Sequence, residues 1–169
     1  LIDGRRREVG AGGVGLSVVM GSVLAEAASI VVVDQNPSKE HLARGFGATH
    51  FAACRDPADA VEAIRNATGG RGVDVVFDAV GLASIETALL DALAPAGMAV
   101  LVGIPAGGTT FPVEAAEFIR QEKTLTGSIF GSADTARDFV RYAELYLEGR
   151  LPIDQLVTER YRLDEIIND

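Results

Sequence analysis

The sequence predicts an α/β domain built around a parallel sheet, and three observations support that prediction. Short apolar runs alternate with longer amphipathic ones along the 169 residues, as strands alternate with helices in this class. The run at residues 29–34 is continuous and rich in β-branched side chains, as expected of a strand covered on both faces. Glycine is frequent, with 19 residues, which suits tight turns and close packing of helices on a sheet.

Six strands separated by helices follow from the order of these runs. Right-handed crossovers then favour a doubly wound, six-stranded parallel sheet in the order 3-2-1-4-5-6, inside three αβα layers. The first strand is the weakest, because its charged residues 5–8 would be costly to bury, and we interpret residues 1–8 either as non-native sequence or as a distorted strand. The predicted strands are residues 5–9, 29–34, 50–53, 73–79, 98–103 and 125–129, with a further short one at 156–161. The predicted helices are residues 13–27, 37 to 45 or 47, 56–67, 84–93, 113–121, 133–148 and a segment that Asp164 opens.

Composition limits the partners and the compartment. The net charge is −9, and an acidic surface disfavours nucleic acids and anionic membranes. No apolar run reaches the roughly 20 residues of a membrane-spanning helix, and the N-terminus lacks the apolar centre of a signal peptide. Cys54 is the one cysteine, so no disulfide forms within the chain, which fits a reducing compartment. We therefore expect a cytoplasmic protein.

A glycine pattern lies between the first strand and the first helix. Gly10, Gly12 and Gly15 form G-x-G-x-x-G, and the strand–turn–helix–strand context makes the pattern specific. Gly10 allows a tight turn, Gly12 lets a pyrophosphate approach the backbone, and Gly15 lets the helix lie close to the sheet. Gly13 and Val14 open the helix, whose amides and positive dipole end attract phosphate. The pattern predicts a dinucleotide-binding (Rossmann) fold.

Asp34 ends the second strand about 20 residues after the glycines, where such folds place an acid. Its carboxylate would accept hydrogen bonds from the adenosine ribose hydroxyls and would repel a 2′-phosphate. Neither Gln35 nor Asn36 supplies the arginine that an NADP site usually has. The sequence therefore predicts NAD as the cofactor, the alternative being that Asp34 is an ordinary residue at a strand end.

Short segments along the chain share the order and spacing of one family. They are VGAGGVGL at residues 9–16, VVD at 32–34 with Lys39, ATH at 48–50, GGRGVD at 69–74, FDAVG at 77–81, VGIP at 102–105, KTLTGSIFG at 123–131 and YRLDEI at 161–166. Through these segments the chain resembles the cofactor domain of zinc-type alcohol dehydrogenases in the medium-chain dehydrogenase/reductase family.

The resemblance implies further contacts on the adenosine side of the cofactor. Lys39 would reach the ribose beside Asp34, and Ala79 and Val80 would flank the adenine and the ribose. The alternatives are a solvated helix lysine for Lys39 and core packing for Val80.

The resemblance also implies contacts on the nicotinamide side. Val102, Gly103 and Ile104 would line the nicotinamide, largely through their backbone. Ser128 and Phe130 would hold its carboxamide through a main-chain carbonyl and amide. Core packing is the alternative for Val102 and Ile104, but both lie at a strand end, where the crevice of such a sheet opens.

The chemistry that the resemblance implies is zinc-assisted hydride transfer. Catalytic zinc needs three protein ligands, and the only histidines and cysteine are His41, His50 and Cys54, which lack ligand spacing. The family's zinc ligands belong to a domain that precedes this segment, and a return segment follows it. We therefore expect residues 1–169 to be one NAD-binding domain of a longer enzyme, with zinc in that enzyme but not in this chain, and no turnover by this chain alone.

The expected parent protein is an NAD-dependent alcohol dehydrogenase acting on a small alcohol or aldehyde. The family pairs its sixth strands across a dimer, so residues 125–130 are expected to form a homodimer edge. Three alternatives stay open: a zinc-free quinone reductase of the same superfamily, a methyltransferase, and a stand-alone NAD-binding or NAD-sensing domain.

Overall fold

The computed structural model describes residues 6–163, and its contacts divide the chain into two compact units, Leu1–Ala133 and Asp134–Asp169. The strands of the first unit are β1 (Arg6–Val9), β2 (Ile30–Asp34), β3 (His50–Ala53), β4 (Val73–Asp78), β5 (Leu93–Leu101) and β6 (Thr124–Gly127). Its helices are α1 (Gly13–Leu24), α2 (Glu40–Gly45), α3 (Pro57–Asn66), α4 (Ala83–Ala92) and α5 (Ala115–Arg120), with short 3-10 helices at Pro37–Lys39 and Phe130–Ser132.

The strands of the first unit form one sheet in the order β3-β2-β1-β4-β5-β6, and each neighbouring pair is parallel. The prediction of an α/β fold with parallel strands and intervening helices is confirmed. Because the strands are parallel, their carboxyl ends lie at one edge of the sheet. The strand order reverses between β1 and β4, and a crevice for ligands opens at such a reversal.

The second strand is buried on both faces of the sheet. Each residue of Ile30–Val33 exposes at most 2% of its surface. Successive side chains point to opposite faces, so burial of all four requires cover on both sides. Val31 and Val33 pack in one cluster with Ile64 of α3 and Leu89 of α4. This burial fixes β2 and therefore the position of the acid at its end.

Three elements differ from the sequence prediction. α1 ends at Leu24, before the predicted residue 27, because Glu26 takes a left-handed conformation with φ of 55°. β5 begins at Leu93 rather than 98, because the predicted turn forms a bulge inside the strand, where Ala96 has φ of 59°. The strand predicted at 156–161 is wrong. Ile153–Leu156 form a 3-10 helix, and the next amide, that of residue 157, donates into that turn rather than to a strand.

The second unit consists of α6 (Thr135–Leu147) and a 3-10 helix at Ile153–Leu156. The Asp138 carboxylate accepts a hydrogen bond of 2.9 Å from the amide of Asp134, which satisfies one free donor at the start of α6. The helix predicted to begin at Asp164 lies outside the described residues. Among residues 6–163, no helix is long and apolar enough to span a membrane.

Thr49 joins the start of β3 to the start of β2. Its hydroxyl oxygen accepts a hydrogen bond of 2.8 Å from the Ile30 amide and donates one of 2.8 Å to the Ile30 carbonyl. The Thr49 amide donates to the same carbonyl, also at 2.8 Å. These contacts set the register that pairs Asp34 with Ala53 at the far end of the two strands.

We expect the Thr49→Val variant to be less stable than the wild-type chain by about 1–3 kcal/mol, because the Ile30 amide would lose its acceptor at a partly buried position. Urea unfolding followed by circular dichroism measures the change. Thr110→Val is the matched control, since Thr110 is exposed in the loop after β5 and its hydroxyl makes no side-chain hydrogen bond among the described residues. An unchanged unfolding midpoint for Thr49→Val would contradict the assignment.

Candidate functional site

The turn after β1 accepts only glycine at its first position. Gly10 has φ of 99°, a conformation that side chains disfavour, and a Cβ there would lie 2.9 Å from Cγ2 of Val80. Its amide donates a hydrogen bond of 2.7 Å to the Val33 carbonyl. The turn therefore lies against both β2 and the end of β4, as the predicted role of Gly10 requires.

The first turn of α1 faces open space on one side and the sheet on the other. Gly12 is the residue before the helix, and no side chain caps the helix there. A Cβ on Gly12 or Gly13 would meet nothing within 4 Å, and Val14 is exposed. Gly15 is buried in the helix, and α1 contacts β1 and β2. The uncapped amides and the open space suit an anionic group close to the backbone.

Asp34 connects the end of β2 to the glycine turn. Its Oδ2 accepts a hydrogen bond of 2.7 Å from the Ala11 amide, and its Oδ1 accepts one of 2.8 Å from the Asn36 amide. The residue is half-buried. Each carboxylate oxygen offers about two acceptor sites, so both oxygens keep capacity for hydroxyl donors from a ligand.

A pocket of about 210 Å³ opens beside Asp34. It runs across the carboxyl ends of four neighbouring strands, from the residues after β3 to those after β4, and α3 and α4 form its inner wall. Most of its lining is apolar, while charged and polar groups gather near Asp34. It is lined by Gly10, Val33, Asp34, Gln35, Cys54, Arg55, Asp56, Pro57, Ala60, Val61, Ile64, Val80, Leu82, Ser84, Ile85, Ala88 and Leu89.

Asp78 holds together the ends of β4 and β5. Its side chain is fully buried, and its Oδ1 accepts hydrogen bonds from the amides of Val80 at 2.8 Å and Gly81 at 3.1 Å. Its backbone carbonyl accepts from the amides of Val102 at 2.9 Å and Gly103 at 2.8 Å. One residue therefore fixes two of the backbone segments that the sequence prediction assigns to the cofactor.

Those two segments touch through glycines. A Cβ on Gly103 would overlap the amide nitrogen of Gly81, and a Cβ on Gly81 would lie 2.8 Å from the carbonyl carbon of Gly103. The backbones can approach this closely only without side chains. Ile104 follows with 78% of its surface exposed, so its side chain is available to a ligand or a partner.

The loop after β6 lies beside the end of β5. The Ser128 amide donates a hydrogen bond of 2.9 Å to the Leu101 carbonyl. Phe130 is 87% exposed and has a left-handed backbone with φ of 49°. Lys39, in contrast, is half-buried at the end of a 3-10 helix and does not line the pocket. Its amide donates a hydrogen bond to the Asn36 carbonyl, and its ammonium group has no polar partner among the described residues.

The structure thus brings Gly10, Asp34 and Val80 into one pocket, while the segments around Gly103 and Ser128 lie further along the same edge. Sequence reasoning missed the pocket residues that follow β3 and β4. The signal was available, because the strand order places the end of β3 beside that of β2. The residues missed are Cys54, Arg55, Leu82, Ser84 and Ile85.

Within residues 6–163, no three histidine, cysteine, aspartate or glutamate side chains gather as metal ligands would. His50 is engaged with its neighbour, its Nδ1 lying 2.9 Å from the Thr49 hydroxyl oxygen. Cys54 lies half-buried in the wall of the pocket. The described residues therefore do not form a site that fits zinc.

Comparison with known proteins gives consistent matches. A family model described as "Zinc-binding dehydrogenase" matches residues 13–146. Geraniol dehydrogenase of Castellaniella defragrans is 34% identical over 157 residues, which are 93% of this chain and 42% of that protein. The structure of benzyl alcohol dehydrogenase from Acinetobacter calcoaceticus superposes with a TM-score of 0.89 at 33% identity, over 98% of this chain and 45% of that one. A Sinorhizobium meliloti protein with bound NADP superposes with a TM-score of 0.80 at 27% identity, over 90% and 44%. The chain spans less than half the length of these relatives.

A second carboxyl lies near Asp78. It belongs to Glu86 of α4, which is 3% exposed, and this carboxyl has no hydrogen-bond or ion-pair partner among the side chains that the structure describes. Burial raises the pKa of the Glu86 carboxyl, and the negative charge of Asp78 raises it further. Deprotonation of Glu86 in the folded chain is therefore unfavourable.

The Glu86→Gln variant tests this position through the pH dependence of stability. The folded state of the wild-type chain holds the proton more tightly than the unfolded state, so its stability falls as pH rises from about the ordinary value of 4.5 through the raised pKa. We expect the variant to lack this decrease, to equal the wild type below pH 4.5, and to be the more stable chain at neutral pH.

Urea unfolding at a series of pH values measures the difference between Glu86→Gln and the wild type. Glu62→Gln is the control, because Glu62 is exposed on α3. If the unfolding free energies of Glu86→Gln and the wild type change in parallel over the whole pH series, the pKa of Glu86 is not raised in the folded chain.

Proposed function

Because the chain belongs to the zinc-binding dehydrogenase family, we propose that it is the NAD-binding domain of a zinc-dependent alcohol dehydrogenase, which transfers hydride between an alcohol and NAD⁺. The observation that carries the proposal is the hydrogen bond that joins Asp34 to the glycine turn beside a largely apolar pocket of about 210 Å³. A carboxylate that suits ribose, open backbone amides that suit phosphate and an apolar pocket that suits a base lie at one edge of the sheet, which supports the proposal.

In this proposal, each segment at the carboxyl ends of the strands binds one part of the dinucleotide. The pocket beside Val80 receives the adenine, and Asp34 accepts from the ribose hydroxyls, with Lys39 nearby in sequence. The open amides from Gly12 to Gly15 face the pyrophosphate. The segments Val102 to Ile104 and Ser128 to Phe130 line the nicotinamide. When it is bound, NAD⁺ accepts the hydride, and this chain's residues orient the ring that receives it.

We propose NAD rather than NADP as the cofactor. A 2′-phosphate on the adenosine ribose would lie next to the Asp34 carboxylate, and the two negative charges would repel each other. Both Asp34 oxygens already accept backbone amides, which holds the carboxylate at the mouth of the pocket. The related Sinorhizobium meliloti protein carries NADP, so the preference has to be measured for this chain.

The substrate class proposed for the parent enzyme is an alcohol or its aldehyde. Two similar proteins are named for such substrates, geraniol and benzyl alcohol. Zinc and the proton relay would be supplied by residues outside this chain, because the described residues do not form a zinc site. We assign the parent enzyme to the cytoplasm.

A homodimer is proposed through the outer strand of the sheet. Among residues 6–163, β6 stands last in the strand order and pairs only with β5, which leaves a row of its backbone donors and acceptors without a strand partner from that part of the chain. Two copies that align residues 125–130 would continue one sheet across the dimer.

The NAD proposal is tested by calorimetric titration of the full chain with NADH and with NADPH. We expect tighter binding of NADH, and we expect Asp34→Asn to reduce the preference for NADH about tenfold by removing the charge repulsion. Asp91→Asn is the control. It removes one negative charge near the C-terminal end of α4, at a residue that does not line the pocket. Tighter binding of NADPH by the wild-type chain would refute the assignment of Asp34.

Cys54 provides an independent test of where the cofactor binds, because it is the one cysteine and lines the pocket. Burial and the charge of Asp59 raise the pKa of its thiol, so alkylation by N-ethylmaleimide should be slow at neutral pH and faster above pH 9. Saturating NADH should slow the reaction several-fold, as followed by intact mass. Equal rates with and without bound NADH would place the cofactor elsewhere.

A further inference from the structure

The residue after Cys54 lies at the mouth of the pocket. β3 ends at Ala53, and the Cys54 amide donates a hydrogen bond of 3.0 Å to the Asp34 carbonyl. This bond holds the start of the following loop against the end of β2. Arg55 comes next, lines the pocket and is exposed to solvent. The Cys54 hydrogen bond therefore holds the Arg55 backbone near the end of β2, and no side-chain contact among the described residues fixes its guanidinium.

Arg55 is the charged group at the pocket mouth that is not already engaged. Both oxygens of Asp34 accept backbone amides, and Oδ1 of Asp56 accepts a hydrogen bond of 2.8 Å from the Ala58 amide at the start of α3. Arg55 has no hydrogen bond or ion pair with any residue in the described range 6–163. Its planar cation is available to a ligand.

The strand order gives the pocket two facing sides. The residues after β3 form one side, and Val80 and Leu82, after β4, form the other, with β2 and β1 between them. The β4 side and the inner wall of α3 and α4 are apolar, whereas the β3 side carries the guanidinium. A flat ring that enters this space can turn one face toward Val80 and the other toward Arg55.

We propose that Arg55 covers the adenine of the bound cofactor by stacking its guanidinium on the exposed face of the ring. This inference rests on the proposed function and deepens it, because it assigns the adenine affinity to a residue outside the glycine turn and Asp34. A guanidinium is planar and weakly hydrated, which favours stacking on an aromatic ring over full solvation. A contact of Arg55 with a 2′-phosphate is the competing role, and the adjacent Asp34 carboxylate opposes it.

The test compares Arg55→Met and Arg55→Lys with the wild-type chain by calorimetry at 0.3 M salt. Methionine keeps an unbranched side chain without charge, and lysine keeps the charge without the planar group. The ligands are NADH, NADPH, AMP and nicotinamide mononucleotide. Arg120→Met is the matched control, since Arg120 lies on α5, pairs with Glu117 and does not line the pocket.

We expect Arg55→Met to lower the affinities for NADH and AMP by a similar factor, about 5-fold to 30-fold, and to leave the affinity for nicotinamide mononucleotide unchanged. Arg55→Lys should not restore the affinity, and the ratio of NADH to NADPH affinity should stay constant. The lower affinity of Arg55→Met should persist at high salt, because salt screens a stacking contact less than a contact between exposed charges.

Three results would overturn the proposal. If Arg55→Met binds NADH as tightly as the wild type does, Arg55 does not contact the adenine, and the proposed function still holds. A loss confined to NADPH and restored by Arg55→Lys would make Arg55 a phosphate ligand. Failure of the wild-type chain to bind both NADH and AMP would refute the proposed function, and this inference with it.

Discussion

The candidate site depends on how backbone amides are used at the carboxyl ends of β2 and β4. Asp78 is buried, and its side chain and carbonyl together bind four amides from the two segments that follow β4 and β5. The Asp34 carboxylate accepts two backbone amides, one from the glycine turn and one from the residues after β2. Hydrogen bonds from amides stabilise a carboxylate without a cation. The acids that end β2 and β4 thus fix the glycine turn after β1 and the segments after β4 and β5.

Glu86 shows what happens when a carboxyl lacks such donors. It lies near Asp78 and is buried to a similar extent, but no hydrogen-bond partner for it occurs in the described part of the chain. Burial and the neighbouring Asp78 therefore raise the pKa of the Glu86 carboxyl, whereas the Asp78 carboxylate accepts hydrogen bonds from two backbone amides.

The glycine turn and Asp34 could be read from the sequence because their chemistry is local to one strand–helix–strand unit. The wall formed by Cys54 and Arg55 carries no motif of its own, and only the predicted strand order, which places the end of β3 beside the end of β2, pointed toward it. The start of β5 was misread for a related reason. Pro95 to Gly97 has the residues of a turn, but pairing with β4 keeps the segment in the strand as a bulge. Long-range pairing, which leaves no mark in a single segment, decided both.

The hydrogen bond between Asp34 and the Ala11 amide has a consequence for changing cofactor preference by design. The acid that we propose discriminates between NAD and NADP also fixes the glycine turn. Replacing it with a small neutral residue, to admit a 2′-phosphate, would release the Ala11 amide and loosen the turn that every dinucleotide uses. A successful redesign of this chain would have to introduce a new acceptor for that amide together with the new specificity, rather than exchange one residue.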